Sequence, residues 1–404
     1  MGLVVTAYSQ RIRDVRASVV AQSGGGAYTD QPLGHWIVDT KIASPMAAYE
    51  KWRANRRSWG IGELSTIVVE VEDAAGNVGL GVSTGGAPAC FIVEQHLARF
   101  CEGAAPRDVE EIWDQMFRAS QQYGRRGLAL NAISAIDLAI WDLLGRQRAE
   151  PVHALLGGRA HDNLPAYATG PNAAFAREQG FIGAKVPLPA APAEGNAGLQ
   201  ENLDIAERAR GDLGDGMWLA LDCYMALDVD YTLRLIDALR DCSPAWLEEF
   251  LLPDDYWGYR EVRRRRSWPI TLSTGEHEAT RWGFQLLLDY GAADMWQPDV
   301  TWVGGMTELL RIAELADTAG IPVVPHGSGP YGTHFSITRP RTEFVEYIVM
   351  SPGGDHLVPT FTPLLEGEPL PVQGRISVSD EPGFGLDLTS HVILKRPFAK
   401  LAGS

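Results

Sequence analysis

Five short apolar runs between Trp218 and Pro330 each end in a side chain able to bind a metal ion or move a proton. Trp218-Leu-Ala-Leu runs into Asp222, Trp246-Leu into Glu248, and Ile270-Thr-Leu-Ser-Thr-Gly into Glu276. Met295-Trp-Gln-Pro runs into Asp299, and Pro322-Val-Val-Pro into His326. Taken singly, such an acid is an ordinary cap or surface charge, and such a histidine an ordinary buried one. Their recurrence at the same point of successive runs changes the reading. If the runs are neighbouring strands, about 4.8 Å apart, then Asp222, Glu248 and Glu276 converge within a few ångströms. Three uncompensated carboxylates at that distance repel strongly. A divalent, oxygen-loving cation relieves the repulsion, and Mg²⁺ suits a site that keeps positions open for substrate. Asp299 beside His326 fixes the imidazole tautomer and raises its basicity, as a general base requires. Glu346, inside Val345-Glu-Tyr347, is costly in a barrel interior unless paired. It reads as a group that contacts the substrate or supports its neighbours.

Strand ends converge only if the elements bring them together. From Gly158 onward the chain alternates β-rich and helix-period segments, with strand candidates at 164–169, 181–186, 218–223, 245–248, 270–274, 294–297, 322–325 and 344–349. Eight alternations fit a (β/α)8-type barrel better than an open doubly wound sheet, and barrel active sites lie at the carboxyl ends of the strands. The first 160 residues differ. A hairpin signal (Ile67–Glu72, turn residues 73–77, Val78–Ser83) precedes two amphipathic helix patterns and a long, nearly uncharged stretch, LALNAISAIDLAIWDLL. That stretch is apolar nearly all round, so it predicts a buried helix; Asp137 and Asp142 and its length argue against a membrane span. The expected organisation is an α+β domain over 1–160 and a barrel over 161–374, with the Pro/Gly-rich segment 375–404 packing back on the first domain. Gly24-Gly-Gly26 reads as a mobile loop, leading into His35-Trp36.

The formal net charge is −16, which argues against a nucleic-acid partner. An anionic substrate would therefore be held by a metal or a few local cations. Four cysteines, without a CxxC pair, predict reduced thiols in a cytoplasmic protein. No stretch reads as a signal peptide or membrane span.

The order Asp222, Glu248, Glu276, Asp299, His326 resembles the enolase superfamily, in its mandelate racemase-like branch. The resemblance covers essentially the whole chain. It is sharpened by His35-Trp36-Ile37, Arg56-Arg57-Ser58-Trp59-Gly60, Gly275-Glu-His277, Gln297-Pro-Asp-Val300 and Val324-Pro-His-Gly-Ser328, which are similar to acid-sugar dehydratases of that branch. It implies an α+β capping domain, a (β/α)7β modified TIM barrel, one Mg²⁺ on Asp222, Glu248 and Glu276, and a His326–Asp299 dyad. His35 and Arg56 would reach the substrate from the capping domain, and His277, Glu346 and His334 would line the pocket. A His or Lys base working beside Mg²⁺ is a known property of this superfamily. The substrate implied is L-rhamnonate or a close analogue (L-lyxonate, L-mannonate, D-gulonate), dehydrated to a 2-keto-3-deoxy acid. A homo-oligomer, commonly an octamer, is implied as well. One departure concerns the racemases of the branch, which carry Lys-x-Lys at the end of strand two. Gly183-Ala-Lys185-Val-Pro187 has a single lysine, which suits dehydration better than racemisation or cycloisomerisation and leaves Lys185 a role near metal and substrate. A non-catalytic sugar-acid sensor would be expected to lack at least one of the five strand-end groups, and all are present.

Overall fold

The structure, a computed structural model, describes residues 10–21 and 31–399. The Gly24-Gly-Gly26 loop lies outside the described residues.

The first domain is built on an antiparallel sheet. Strands β1 (Ile12–Val20), β2 (Thr66–Asp73) and β3 (Val78–Thr84) pair in order. The β2–β3 hairpin closes where the sequence puts turn residues, with Gly76 in the left-handed region. Asp73 Oδ1 accepts the Ala75 and Asn77 N–H groups, each at 2.9 Å. The helix Leu128–Arg148 lies across this sheet. It is apolar enough to span a membrane by composition, but 83% of its most apolar window is buried inside the protein. Two glycines set how close it comes. A Cβ on Gly79 or Gly81 would lie 2.1 Å from the Ala139 carbonyl oxygen or 2.0 Å from that of Ala135. Alternate positions of β3 are thus reduced to hydrogen so that helix backbone can rest on strand backbone.

The second domain is a curled parallel sheet in the order β10-β4-β5-β6-β7-β8-β9. Its strands are β4 (Leu164–Thr169), β5 (Gly183–Pro187), β6 (Trp218–Asp222), β7 (Trp246–Glu248), β8 (Thr271–Thr274), β9 (Met295–Trp296) and β10 (Val345–Ile348). Helices such as Gly195–Leu213, Val229–Ala238 and Gly305–Ala319 connect them. This is a modified barrel. The 322–325 run expected as the next strand is reduced to one parallel bridge, Trp296 with Val323. Pro322 and Pro325 have no N–H to give a ladder, so only Val324 N–H donates, to Trp296 O at 2.9 Å. Instead, Gly327 N–H donates to Glu346 Oε2 of β10 at 2.7 Å and ties this segment to the next strand.

The two domains meet along the Leu128–Arg148 helix. Ser134 Oγ accepts the Gly304 N–H at 2.9 Å, and Asp137 Oδ2 the Thr307 N–H at 2.9 Å. These acceptors cap the start of the barrel helix Gly305–Ala319 from outside its own domain. Ser83 Oγ and Trp113 Nε1 donate to the Thr301 and Gly304 carbonyls at 2.6 and 2.7 Å. The Asp299–Gly304 loop is therefore held by the first domain. In the tail, Arg375–Ile376 pairs antiparallel with β4, and Leu394–Lys395 pairs antiparallel with β1.

Candidate active site

The parallel register puts Asp222 directly beside Glu248 at the carboxyl ends of β6 and β7. Glu276 follows β8 after Gly275, whose φ of +131° turns the chain over the mouth. Two non-glycine residues in the left-handed region, Tyr224 (φ +42°) and Glu249 (φ +44°), peel the chain off β6 and β7. Such strain persists where surrounding structure enforces it, and it concentrates at functional sites.

Lys185 stands among the acids. Its wholly buried Nζ bonds Glu248 Oε1, lies 2.8 Å from Glu346 Oε1, and is 3.9 Å from Asp222 Oδ2. Glu248 Oε2 accepts from Gln297 Nε2 at 2.8 Å and Trp246 Nε1 at 3.0 Å. Glu346 faces inward and also bonds Thr169 Oγ1. Burial would raise its pKa, but Lys185 overcomes this and holds the carboxylate down to about 2. Burial pushes Glu248 and Glu276 upward; Asp222 adds to both, while Lys185 opposes at Glu248 and His326 and His277 oppose at Glu276.

The His326 ring points Nδ1 at Asp299 Oδ2, 2.8 Å away, and Nε2 toward Glu276 Oε1 at 3.4 Å. Asp299 Oδ1 accepts from Thr301 N–H (2.7 Å), Thr301 Oγ1 (2.6 Å) and Ser328 Oγ (3.1 Å). The carboxylate is thus fixed and the ring tautomer with it. Burial acts to lower the His326 pKa, but Glu276, Glu346 and Asp299 together raise it to about 10; a cation held by Glu276 and its neighbours would offset that negative charge and bring the imidazole back toward the range of a general base.

Glu276 is the strongest sign of a missing counter-charge. Its Oε2 is buried with no hydrogen-bond partner, although the group faces Asp222 and Glu249 as well as two imidazoles. An all-oxygen set of Asp222, Glu248 and Glu276 fits a hard divalent cation. A second grouping, Glu249, Glu276 and His277, has donor atoms within 4.8 Å of one another. There the Glu249 oxygens are already engaged by His277 Nδ1 at 2.8 and 2.9 Å. The strand-end set is not gathered that closely among the described residues: register brings Glu248 beside Asp222, but its oxygens face Lys185, Gln297 and Trp246.

A narrow pocket lies above these groups. Arg56, Lys185, Asp222, Glu276 and His326 line it. The buried Arg56 guanidinium lies 3.6 Å over the Tyr224 ring, and its Nε has no hydrogen-bond partner. His277, part-buried at the edge, packs against Tyr224 and Trp302. Trp302 also stacks against His326, with centroids 5.7 Å apart. A larger cleft beside Asp317, Arg339 and Arg341 lies at the opposite end of the barrel, away from the acids.

Two residues expected at the pocket, His35 and His334, are not among those that line it. His35 is fully buried, with Nδ1 accepting the Ile37 N–H at 3.2 Å and Nε2 against Met350 O at 3.0 Å. Both ring nitrogens bond backbone, and His35 caps the helix Trp36–Asp39, whose Trp36 and Ile37 line the pocket. His334 sits on the helix Gly329–Ser336, which carries the chain away from the mouth. Its Nδ1 accepts the His153 N–H at 3.1 Å and its ring packs against Phe384. Conversely, Tyr224, Glu249 and Trp302 are site residues that the sequence patterns do not single out. Glu249 stands in plain view as the second acid of Glu248-Glu249; the other two carry no signal of their own.

Residues 55–157 match the family description "Mandelate racemase / muconate lactonizing enzyme, N-terminal domain", and residues 171–392 match "Enolase C-terminal domain-like". An L-rhamnonate dehydratase from Saccharopolyspora erythraea is 53% identical over 389 residues, covering 96% of this chain and 99% of that protein. The crystal structure of rhamnonate dehydratase from Gibberella zeae complexed with Mg superposes with a TM-score of 0.93 at 42% identity, covering 95% of this chain and 96% of the other. The 3,6-anhydro-D-galactonate cycloisomerase of Zobellia galactanivorans shares the fold, with a TM-score of 0.75 at 24% identity over 94% of this chain and 97% of the other.

Proposed function

This chain belongs to the mandelate racemase / muconate lactonizing enzyme family, and on that premise we propose that it dehydrates an acid sugar, L-rhamnonate or a close analogue, with Mg²⁺ as cofactor. The observation that carries the reading is the His326 ring, anchored by Asp299 on one side and facing the carboxylate cluster on the other. Mg²⁺, held by Asp222, Glu248 and Glu276, would supply the positive charge that acidifies the hydrogen next to the substrate carboxylate. His326 Nε2 takes the proton from C2, and Asp299 stabilises the imidazolium that results. The same imidazolium returns its proton to the 3-hydroxyl, which leaves as water. The resulting enol collapses to the 2-keto-3-deoxy acid. Glu346 holds the Gly327 amide and so the loop after the base, and Lys185 holds Glu346. Arg56 presents a guanidinium to the hydroxyls or carboxylate of the sugar acid.

Racemisation needs a second base across the pocket. Lys185 is the one lysine that lines it among the described residues, and its ammonium is committed to Glu248 and Glu346; that supports dehydration instead. A cytoplasmic homo-oligomer completes the proposal. The four cysteines are buried free thiols, and Trp282, Leu286 and Tyr290 expose one apolar face of a single helix. The test is incubation with Mg²⁺ and a panel of stereodefined acid sugars, scoring 2-keto-3-deoxy product. Turnover of L-rhamnonate supports the reading; turnover of other acid sugars alone would replace the named substrate.

A further inference from the structure

The pocket has two chemically different walls. Its floor carries Asp222, Glu276, Lys185 and His326. Its roof has an apolar stretch: Trp36, Ile37, Ile42 and Ile348 line it and belong to one buried cluster with Val38 and Met350, while Arg56, Thr169 and Tyr224 line the pocket elsewhere. The roof is fixed in place. Trp36 Nε1 donates to Val349 O at 2.8 Å and Trp36 N–H to Pro352 O at 2.9 Å. Ala43 N–H, beside Ile42, donates to Leu188 O at 2.8 Å. Ile348 lies on β10 two residues after Glu346 and therefore on the same face. The His35 ring, bonded to Ile37 N–H and Met350 O, joins roof and strand.

Resting on the dehydratase reading above, we propose that Ile37, Ile42, Ile348 and Trp36 form the surface that recognises the far end of the substrate, selecting an acid sugar that ends in a methyl group. The carboxylate and C2 are fixed at the floor by the acids and His326. The other end of a six-carbon chain then has to meet the roof. A terminal methyl group packs on these four side chains, none of which offers a hydroxyl a hydrogen-bond partner, since the one polar atom among them, Trp36 Nε1, is held by Val349 O; a hydroxyl buried against them is disfavoured. Because the roof is tethered on both sides, it does not rearrange to supply one.

Three substrates isolate this contact: L-rhamnonate, L-mannonate and L-lyxonate differ only at the chain end, as methyl, hydroxymethyl and truncated. The readout is the ratio of kcat/KM for L-rhamnonate over L-mannonate. Ile42→Thr, which places a hydroxyl in the roof at nearly the volume of valine, is expected to lower that ratio about tenfold. Ile42→Val should leave it within about twofold. Ile348→Thr is the second probe should Ile42→Thr fail to fold, with folding checked by thermal melting. An unchanged ratio in both folded threonine variants would overturn the assignment. A wild-type chain that turns over none of the three would instead overturn the dehydratase reading on which it rests.

Discussion

At the level of single residues, the proposed chemistry reduces to one base and a cluster of buried acids. His326→Asn should lower kcat by about 10³-fold or more while Mg²⁺ binding persists, checked by steady-state kinetics beside calorimetric metal titration. Lys185→Met is expected to be costly in a different way. It leaves Glu346 buried without its cation, which should destabilise the protein by about 3–5 kcal/mol in denaturant unfolding. Added Mg²⁺ should recover only part of this, because it can compensate Glu248 but not Glu346. The strand-end groups are legible in the sequence because recurrence outweighs any one residue: an acid after each of three apolar runs is a geometric statement. The two histidines that do not line the pocket show the limit. Nothing in His35-Trp36 reveals that both ring nitrogens bind backbone, and nothing near His334 reveals that its helix turns away. Tyr224 and Trp302 come to the pocket through a left-handed backbone turn and a loop clamped from the other domain, neither of which leaves a pattern in sequence.

At the level of elements, the site depends on how closely one helix lies on one sheet. Gly81→Ala would drive a Cβ to 2.0 Å from the Ala135 carbonyl. Backbone cannot yield there as a side-chain end would, so a loss of about 2 kcal/mol or more is expected, read from urea midpoints. The same helix caps Gly305–Ala319 and steadies the Asp299–Gly304 loop, so kcat should fall in this variant as well, although the substitution is remote from the pocket. The alternation of β and α segments is readable from periodicity, and the hairpin from its turn residues. The 322–325 run reads as a full strand because its apolar residues match one. Its two prolines leave it with a single bridge, and the Glu346 side chain takes over the closing contact.

At the level of the whole molecule, stability should depend on pH through histidines remote from the pocket. Burial lowers the pKa of His334 to about 3, and His153 is lowered as well, again chiefly by burial. His334 therefore stays neutral when folded and is protonated when unfolded below about pH 6.5, and the His153 shift acts in the same direction. The unfolded state binds more protons in that window, so stability falls as pH drops from about 6.5, with a slope of up to about 1.4 kcal/mol per unit for His334 alone. His334→Gln should flatten this dependence between about pH 6.5 and 5, as measured by urea midpoints. Glu346 acts lower down: its contribution is full above about pH 4.3 and is lost as pH falls toward 2. The proposed reaction turns on one proton, taken from C2 by His326. With C2-deuterated L-rhamnonate and Mg²⁺, the wild-type chain should release deuterium to solvent with formation of 2-keto-3-deoxy acid, and folded His326→Asn should release none. Deuterium release that continues in His326→Asn, or keto acid that carries the substrate deuterium at C3, would contradict this.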